Sequence, residues 1–305
     1  VNVVFLADHD EERMEIGIRS FMFDHPELFE DVDVAFGYAG AQLADGRGDV
    51  VGQSIGSVVF DLETRGPPGL WAEDQPMWRH VNMLAELFAD DGPLVEEIER
   101  DVLFPSPEEE AYLRREAAMR GESFEELMRI RTHVRVTITG TWGGNMAPGY
   151  AGRYTPPAAS SKIDIRFMPN VDGDDVLAKV RAHLDRQGYE DVTMNVVGVV
   201  PWSWANADNE MGDAIRRMYR QFGVPFNEPP EGDYMGAWTA YGPPYLFTRA
   251  PLQVPHLRGG LGYGWGSHYG PEYYVIKGDG EKIYGFAGAA KSYATVLYNY
   301  ADKDP

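Results

Sequence analysis

The chain has 305 residues, 44% of them hydrophobic, enough apolar material for the cores of two ordinary domains. It contains no cysteine and carries a formal charge of −21, which excludes disulfides and thiolate metal sites and argues against binding to nucleic acid. Any metal must be held by carboxylate and imidazole. No apolar run approaches the roughly 20 residues that cross a bilayer, and no basic-then-apolar secretory start is seen, so a cytoplasmic location without membrane contact is expected.

In chain order, Val3-Val4-Phe5-Leu6-Ala7 is a short β-branched apolar run, predicted to be a buried parallel strand. A helix is predicted from Glu15 to Phe23 and a second strand from Asp33 to Phe36, and Val50 to Ile55 leads out of this α/β layer. Ser57 to Glu63 then alternates as a strand with one solvated face, and a Pro/Gly turn at Gly66-Pro67-Pro68-Gly69 precedes a helix from Trp78 to Phe88. Two charged helices are predicted, from Pro107 to Arg120 and from Ser123 to Arg129, with Ser123 and Glu126 spaced as a capping box. Val134 to Thr139 and Lys162 to Phe167 alternate as antiparallel strands, Val176 to Gln187 is an amphipathic helix stopped by Gly188, and Val192 to Val200 closes the group. A helix from Met211 to Phe222, a short strand from Pro244 to Phe247 and a terminal helix from Tyr284 to Ala301 complete the chain.

Two segments carry chemistry. Asp10-Glu11-Glu12 follows the first predicted strand, with Gly17 five residues beyond Glu12. At the carboxyl edge of a strand, one of two adjacent acids can coordinate a cation while its neighbour takes a proton from water; the plainer alternative is a pair of acids favoured at a helix start. Far downstream, Gly264-Trp265-Gly266-Ser267-His268-Tyr269-Gly270-Pro271-Glu272-Tyr273 sets one histidine in a loop whose glycines permit close approach to a ligand.

Together these segments resemble the co-catalytic metallohydrolases that include acetylornithine deacetylase, succinyl-diaminopimelate desuccinylase and glutamate carboxypeptidase. Ser161-Lys162-Ile163-Asp164-Ile165-Arg166 is similar to that family's strand ending in D-x-R. The resemblance implies an α/β fold: the C-terminal portion of a mixed-sheet, zinc-peptidase-like catalytic domain with an inserted α+β lid or dimerisation domain. The catalytic part is expected at 1–55 and 198–305 and the lid at 56–197, with an extra helical insertion at about 93–131. By the same resemblance Glu11 is the general base and Glu12 and His268 are metal ligands. The resemblance also implies that Arg166 and Asn145 contact a substrate carboxylate, pairing of Arg166 with Asp164 or Asp172 as a structural bridge being the alternative, and that His80 is a candidate for a lid histidine reaching toward substrate, the alternative being a surface residue at a helix start.

The family's first histidine and bridging aspartate precede its D-E-E motif and have no counterpart here, so an N-terminal companion polypeptide is expected to supply the remaining ligands. The carboxylate expected at the end of the second strand is replaced by Gly37 and Tyr38, which implies one tightly bound divalent ion, manganese or zinc, rather than two. The implied reaction is attack of a metal-bound water, activated by Glu11, on the C–N bond of an amide or acylamino acid bearing a carboxylate. Trp202, Trp204, Tyr234, Trp238, Tyr263, Trp265 and Tyr269 gather in and around loops and suggest an aromatic substrate. Hydrolytic deamination of an aromatic amine such as 5-nitroanthranilate, known within the resembled family, is therefore the alternative. A non-catalytic regulatory or assembly subunit is the alternative of another class. Homo-oligomerisation through the lid is expected by resemblance.

Overall fold

Val58, Phe60 and Leu62 are wholly buried and alternate with the more accessible Val59, Asp61 and Glu63, so the ten-residue strand Gly56–Arg65 presents one apolar face. The computed structural model describes residues 1–302 except 10, 38–41, 68–74, 88–92, 103–105, 145–147, 150–154, 227–240, 267–269 and 280; at 12, 93, 108, 119, 120, 130 and 131 the backbone alone is described. A 3-10 turn at Glu11–Arg13 leads to α1 (Ile16–Asp24), a second short turn at Pro26–Leu28 and β1 (Ala35–Gly37). Next come β2 (Gln53–Ser54), β3 (Gly56–Arg65), α2 (Pro76–Leu87), α3 (Pro93–Glu99), α4 (Pro107–Arg120) and α5 (Phe124–Thr132). β4 (Arg135–Gly143), β5 (Ala158–Phe167), α6 (Gly173–Arg186) and β6 (Thr193–Val200) complete the middle of the chain. The last third holds β7 (Ser203–Trp204), α7 (Glu210–Gln221), α8 (Tyr245–Thr248), β8 (His256–Arg258), β9 (Gly264–Trp265), β10 (Tyr273–Tyr274) and α9 (Phe286–Ala301).

The largest sheet has the order β4-β5-β3-β6, antiparallel throughout, with α2 and α6 packed against it. Strand, helix, strand, strand, helix, strand in chain order, with the strands arranged β4-β5-β3-β6 in space, is a split β-α-β arrangement, and α3 to α5 are inserted before its second strand in sequence. Its core joins Phe60, Leu62, Ile163, Ile165 and Phe167 of the sheet to Met83 and Leu87 of α2 and to Val176, Val180 and Leu184 of α6. The caps follow side-chain chemistry. Asp172 accepts from the backbone N–H groups of Asp174 and Asp175 at the start of α6. Ser123 accepts from Glu126 N at the start of α5, and the complete reciprocal box lies one helix earlier, between Ser106 and Glu109.

A second core forms where α7 and α9 cross, from Met211, Ile215, Met218, Tyr219, Leu257, Leu261 and Val296. The buried Tyr219 hydroxyl donates to the Asp49 carbonyl at 2.7 Å and accepts from Gly260 N at 3.0 Å, tying the segment before β2 to the loop after β8. β1 and β8 pair in parallel, Ala35 against His256 and Gly37 against Arg258.

Two predicted strands are corrected. Val3 to Ala7 forms no strand and Phe5 is 89% exposed, because no neighbouring strand pairs with it among the described residues. Pro244 to Phe247 is the start of α8, not a strand: Pro244 has helical dihedrals, φ −49° and ψ −31°, and its fixed φ favours a first helical turn.

Candidate functional site

The segment after Asp8 closes into the 3-10 turn, in which Met14 N donates to the Glu11 carbonyl at 3.0 Å. Met14 and Glu15 then adopt left-handed backbone, φ 59° and 57°, a conformation that non-glycine residues rarely take. This reverses the chain so that Glu11 faces solvent while Met14 is driven inward against Gly198 of β6, where a Cβ would lie 2.7 Å from the Met14 sulfur. Met14 joins Met22, Phe29, Val200, Tyr245 and Leu246 in a compact apolar cluster. The acid-bearing turn is thus seated on the end of β6. The backbone of Glu12 lies in the same turn; Asp10, Asn145 and His268 lie outside the described residues.

Beneath the turn, Glu15 is 1% exposed, and neither of its carboxylate oxygens has a hydrogen-bond partner among the described residues. Burial pushes its pKa up to about 7, and the nearby Glu11 and Asp8 carboxylates add to the shift. The neighbouring Tyr245 hydroxyl is also buried without a partner among the described residues, and burial raises its pKa as well. Sequence reasoning passed over Glu15; its place four residues after Glu11, one helical turn, was the available signal.

Arg166 on β5 approaches the same region from the sheet. Its Nε donates to Asp164 Oδ2 at 3.0 Å, Asp164 Oδ1 accepts from Ser57 Oγ at 2.7 Å, and the guanidinium lies 4.8 Å from the centroid of the Tyr241 ring. Tyr241 packs on both the sheet core and the Met14 cluster, and the adjoining Gly242 stands over the Glu15 carboxyl. Arg166 thus contacts Tyr241, and the next residue, Gly242, lies against Glu15, which directly follows the Glu11 turn and Met14.

His80 is placed elsewhere. It is 2% exposed between α2 and the sheet, with Nε2 2.7 Å from Ser161 Oγ and Nδ1 3.2 Å from Thr64 Oγ1. Thr64 spends its single proton on the Pro76 carbonyl, so it accepts from Nδ1–H while Ser161 donates to Nε2. Both ring nitrogens serve the packing of α2, and burial lowers the pKa.

At the end of β1, Gly37 faces His256 and Arg258. His256 is stacked on Phe247 with centroids 5.3 Å apart, and its pKa falls to about 3, first through burial and then through the Arg258 charge. Burial also brings Arg258 down to about 10. The β9–β10 pair forms the base of the loop that carries His268, and beside it Trp265 is 67% exposed. Of the other aromatics, Trp202 packs on the sheet core under the Arg249 guanidinium, 4.9 Å from its ring centroid, whereas Tyr234, Trp238 and Tyr269 lie outside the described residues. No group of three or more His, Asp or Glu able to hold a metal ion occurs among the described residues. The described donors do not complete a coordination sphere for a divalent cation.

A family model for the peptidase dimerisation domain matches residues 75–192. The M20 family metallo-carboxypeptidase Sso-CP2 from Sulfolobus solfataricus is similar over 95% of this chain and 68% of its own, at 17% identity and a TM-score of 0.74. The dipeptidase Dug1p from Saccharomyces cerevisiae is similar over 95% of this chain and 64% of its own, at 18% identity and a TM-score of 0.74. Human carnosine dipeptidase 1 is similar over 95% of this chain and 65% of its own, at 17% identity and a TM-score of 0.72. The chain thus shares the mixed α/β fold of these structures and spans about two thirds of their length. Comparison with curated proteins gave no match.

Proposed function

We propose that this chain belongs to a metal-dependent hydrolase acting on a C–N bond, an amide or acylamino acid, in a carboxylate-bearing substrate. The observation that carries this reading is the Glu11 turn: a solvent-facing carboxylate on a strained link, anchored by Met14 in the apolar cluster that Tyr241, the ring under Arg166, also packs against. The likeness of the fold to metallo-carboxypeptidase and dipeptidase structures supports it. Glu11 takes a proton from the attacking water and returns it to the departing nitrogen. Arg166, oriented by Asp164, binds the substrate carboxylate together with Asn145. Glu12 and His268 would hold one divalent ion, manganese or zinc, which would supply Lewis-acid polarisation and a lowered water pKa.

Copies of the chain associate through the dimerisation-type sheet in the cytoplasm. The exposed Trp265 beside the His268 loop favours one second reading, an aromatic amine as substrate with release of ammonia.

The test is a hydrolysis assay of the purified protein, with any companion identified by denaturing mass analysis, supplied with manganese or zinc. N-acetyl amino acids, dipeptides and 5-nitroanthranilate are the substrates, and E11Q is the control. Loss of at least 100-fold in kcat for E11Q is expected. An E11Q variant as active as the parent would leave the regulatory-subunit reading in its place.

A further inference from the structure

The buried group that the proposed reaction leaves unused is Glu15. It lies in left-handed backbone directly after a left-handed Met14, is almost wholly buried, and has no hydrogen-bond partner for either oxygen among the described residues. A glutamate in this place costs strain in the backbone and desolvation in the side chain. An alanine or leucine would meet the apolar cluster beneath it without the second cost. Among the described residues, the charged and titratable groups around it are Glu11 in the turn, Asp8 in the leading segment, Arg19 one helical turn along α1 and Tyr245 on α8.

We propose that Glu15 is a positioning residue, held as the neutral acid beneath the 3-10 turn, where it fixes the left-handed link that presents Glu11 to solvent. The proposal rests on Glu11 being the base. An ionised Glu15 would set a third negative charge against Asp8 and Glu11 inside an apolar seat, and the turn would have to open to hydrate it. The neutral acid avoids both penalties, and the side chain fills the space under the turn. Because burial holds the proton to about pH 7, the turn is intact on the acid side of that value and loosens above it.

Two variants test this. E15Q keeps the shape and cannot ionise, whereas E15A removes the side chain. Infrared difference spectra of the parent protein minus E15Q should show a protonated carboxyl band that titrates away near pH 7. Amide hydrogen exchange at residues 11–15 should quicken at least tenfold in the parent between pH 6 and 8.5, after correction for intrinsic rates, and should not do so in E15Q. In the assay, the parent's kcat should fall on the alkaline side with a matching midpoint, E15Q should lose that limb, and E15A should lose at least tenfold in kcat with KM within twofold. Should E15A fail to fold, E15Q still decides. No carboxyl band, or an alkaline loosening that persists in E15Q, overturns the proposal. The spectroscopic and exchange measurements need no turnover, so a failed hydrolase reading and a failed role for Glu15 are told apart.

Discussion

Gly37 faces His256 so closely that a Cβ at residue 37 would stand 2.6 Å from Nε2 of the imidazole and 2.8 Å from Cγ of Arg258. The ring cannot retreat, because it is 5% exposed and stacked on Phe247. The missing carboxylate at this strand end is therefore coupled to what packs against it. Gly37→Asp is expected to lower stability by about 1–3 kcal/mol through overpacking, read from the urea midpoint, and to leave the bound-metal count unchanged. A stable G37D protein that binds a second ion would refute this.

His256 also makes a prediction about acid. Its folded pKa of about 3 lies below the ordinary histidine value of 6.5, so the neutral ring stabilises the fold above pH 6.5, and that stability is lost as pH falls toward 3. The contribution is roughly 3–5 kcal/mol over the window. Glu15 acts in the opposite sense: its folded pKa is raised from 4.5 to about 7, so its contribution is full below pH 4.5 and is lost as pH rises through 7. His256→Gln should therefore flatten the acid limb of a stability-against-pH curve, while E15Q flattens the drop between pH 4.5 and 7. An unchanged acid limb in H256Q would place the acid sensitivity elsewhere.

The elements that were legible in the sequence are those whose period is decided by their own residues. Ser57 to Glu63 and Lys162 to Phe167 alternate because one face of their shared sheet is core, and both lie within observed strands that are somewhat longer. Val3 to Ala7 has an equally good strand composition, yet a strand needs a partner, and composition does not supply one. The carboxylate turn was legible as a motif, but its seat was not: nothing local in Met14-Glu15 announces a left-handed pair, which is imposed by packing against Gly198. His256 gave no signal at all, since a histidine beside Leu257 in a three-residue strand reads as core and its meaning comes from Gly37, far away in sequence.

Tyr219 is the joint between the segments that flank β2 and β8. Its hydroxyl accepts from Asp49 N and Gly260 N and donates to the Asp49 carbonyl, all in the interior. Tyr219→Phe keeps the ring and strands these backbone groups, at an expected cost of about 1–3 kcal/mol. Denaturant unfolding should show the loss as an earlier midpoint with unchanged slope. An unaltered midpoint would mean that water replaces the hydroxyl.

His80 separates a structural histidine from a substrate contact. Its ring is enclosed by α2 and the sheet, and removing it leaves the Ser161 hydroxyl, itself wholly buried, without its acceptor. His80→Ala combines that lost hydrogen bond with a cavity, so a destabilisation of about 2–4 kcal/mol is expected. Because the ring points into the sheet and not toward the Glu11 turn, KM of the folded fraction should stay within about twofold, equivalent to under 0.5 kcal/mol. Thermal melts and steady-state kinetics on the same preparation decide between the two roles. A tenfold rise in KM with an unshifted melt would require the helix carrying His80 to turn its ring outward when substrate binds, and would restore the histidine to the substrate site.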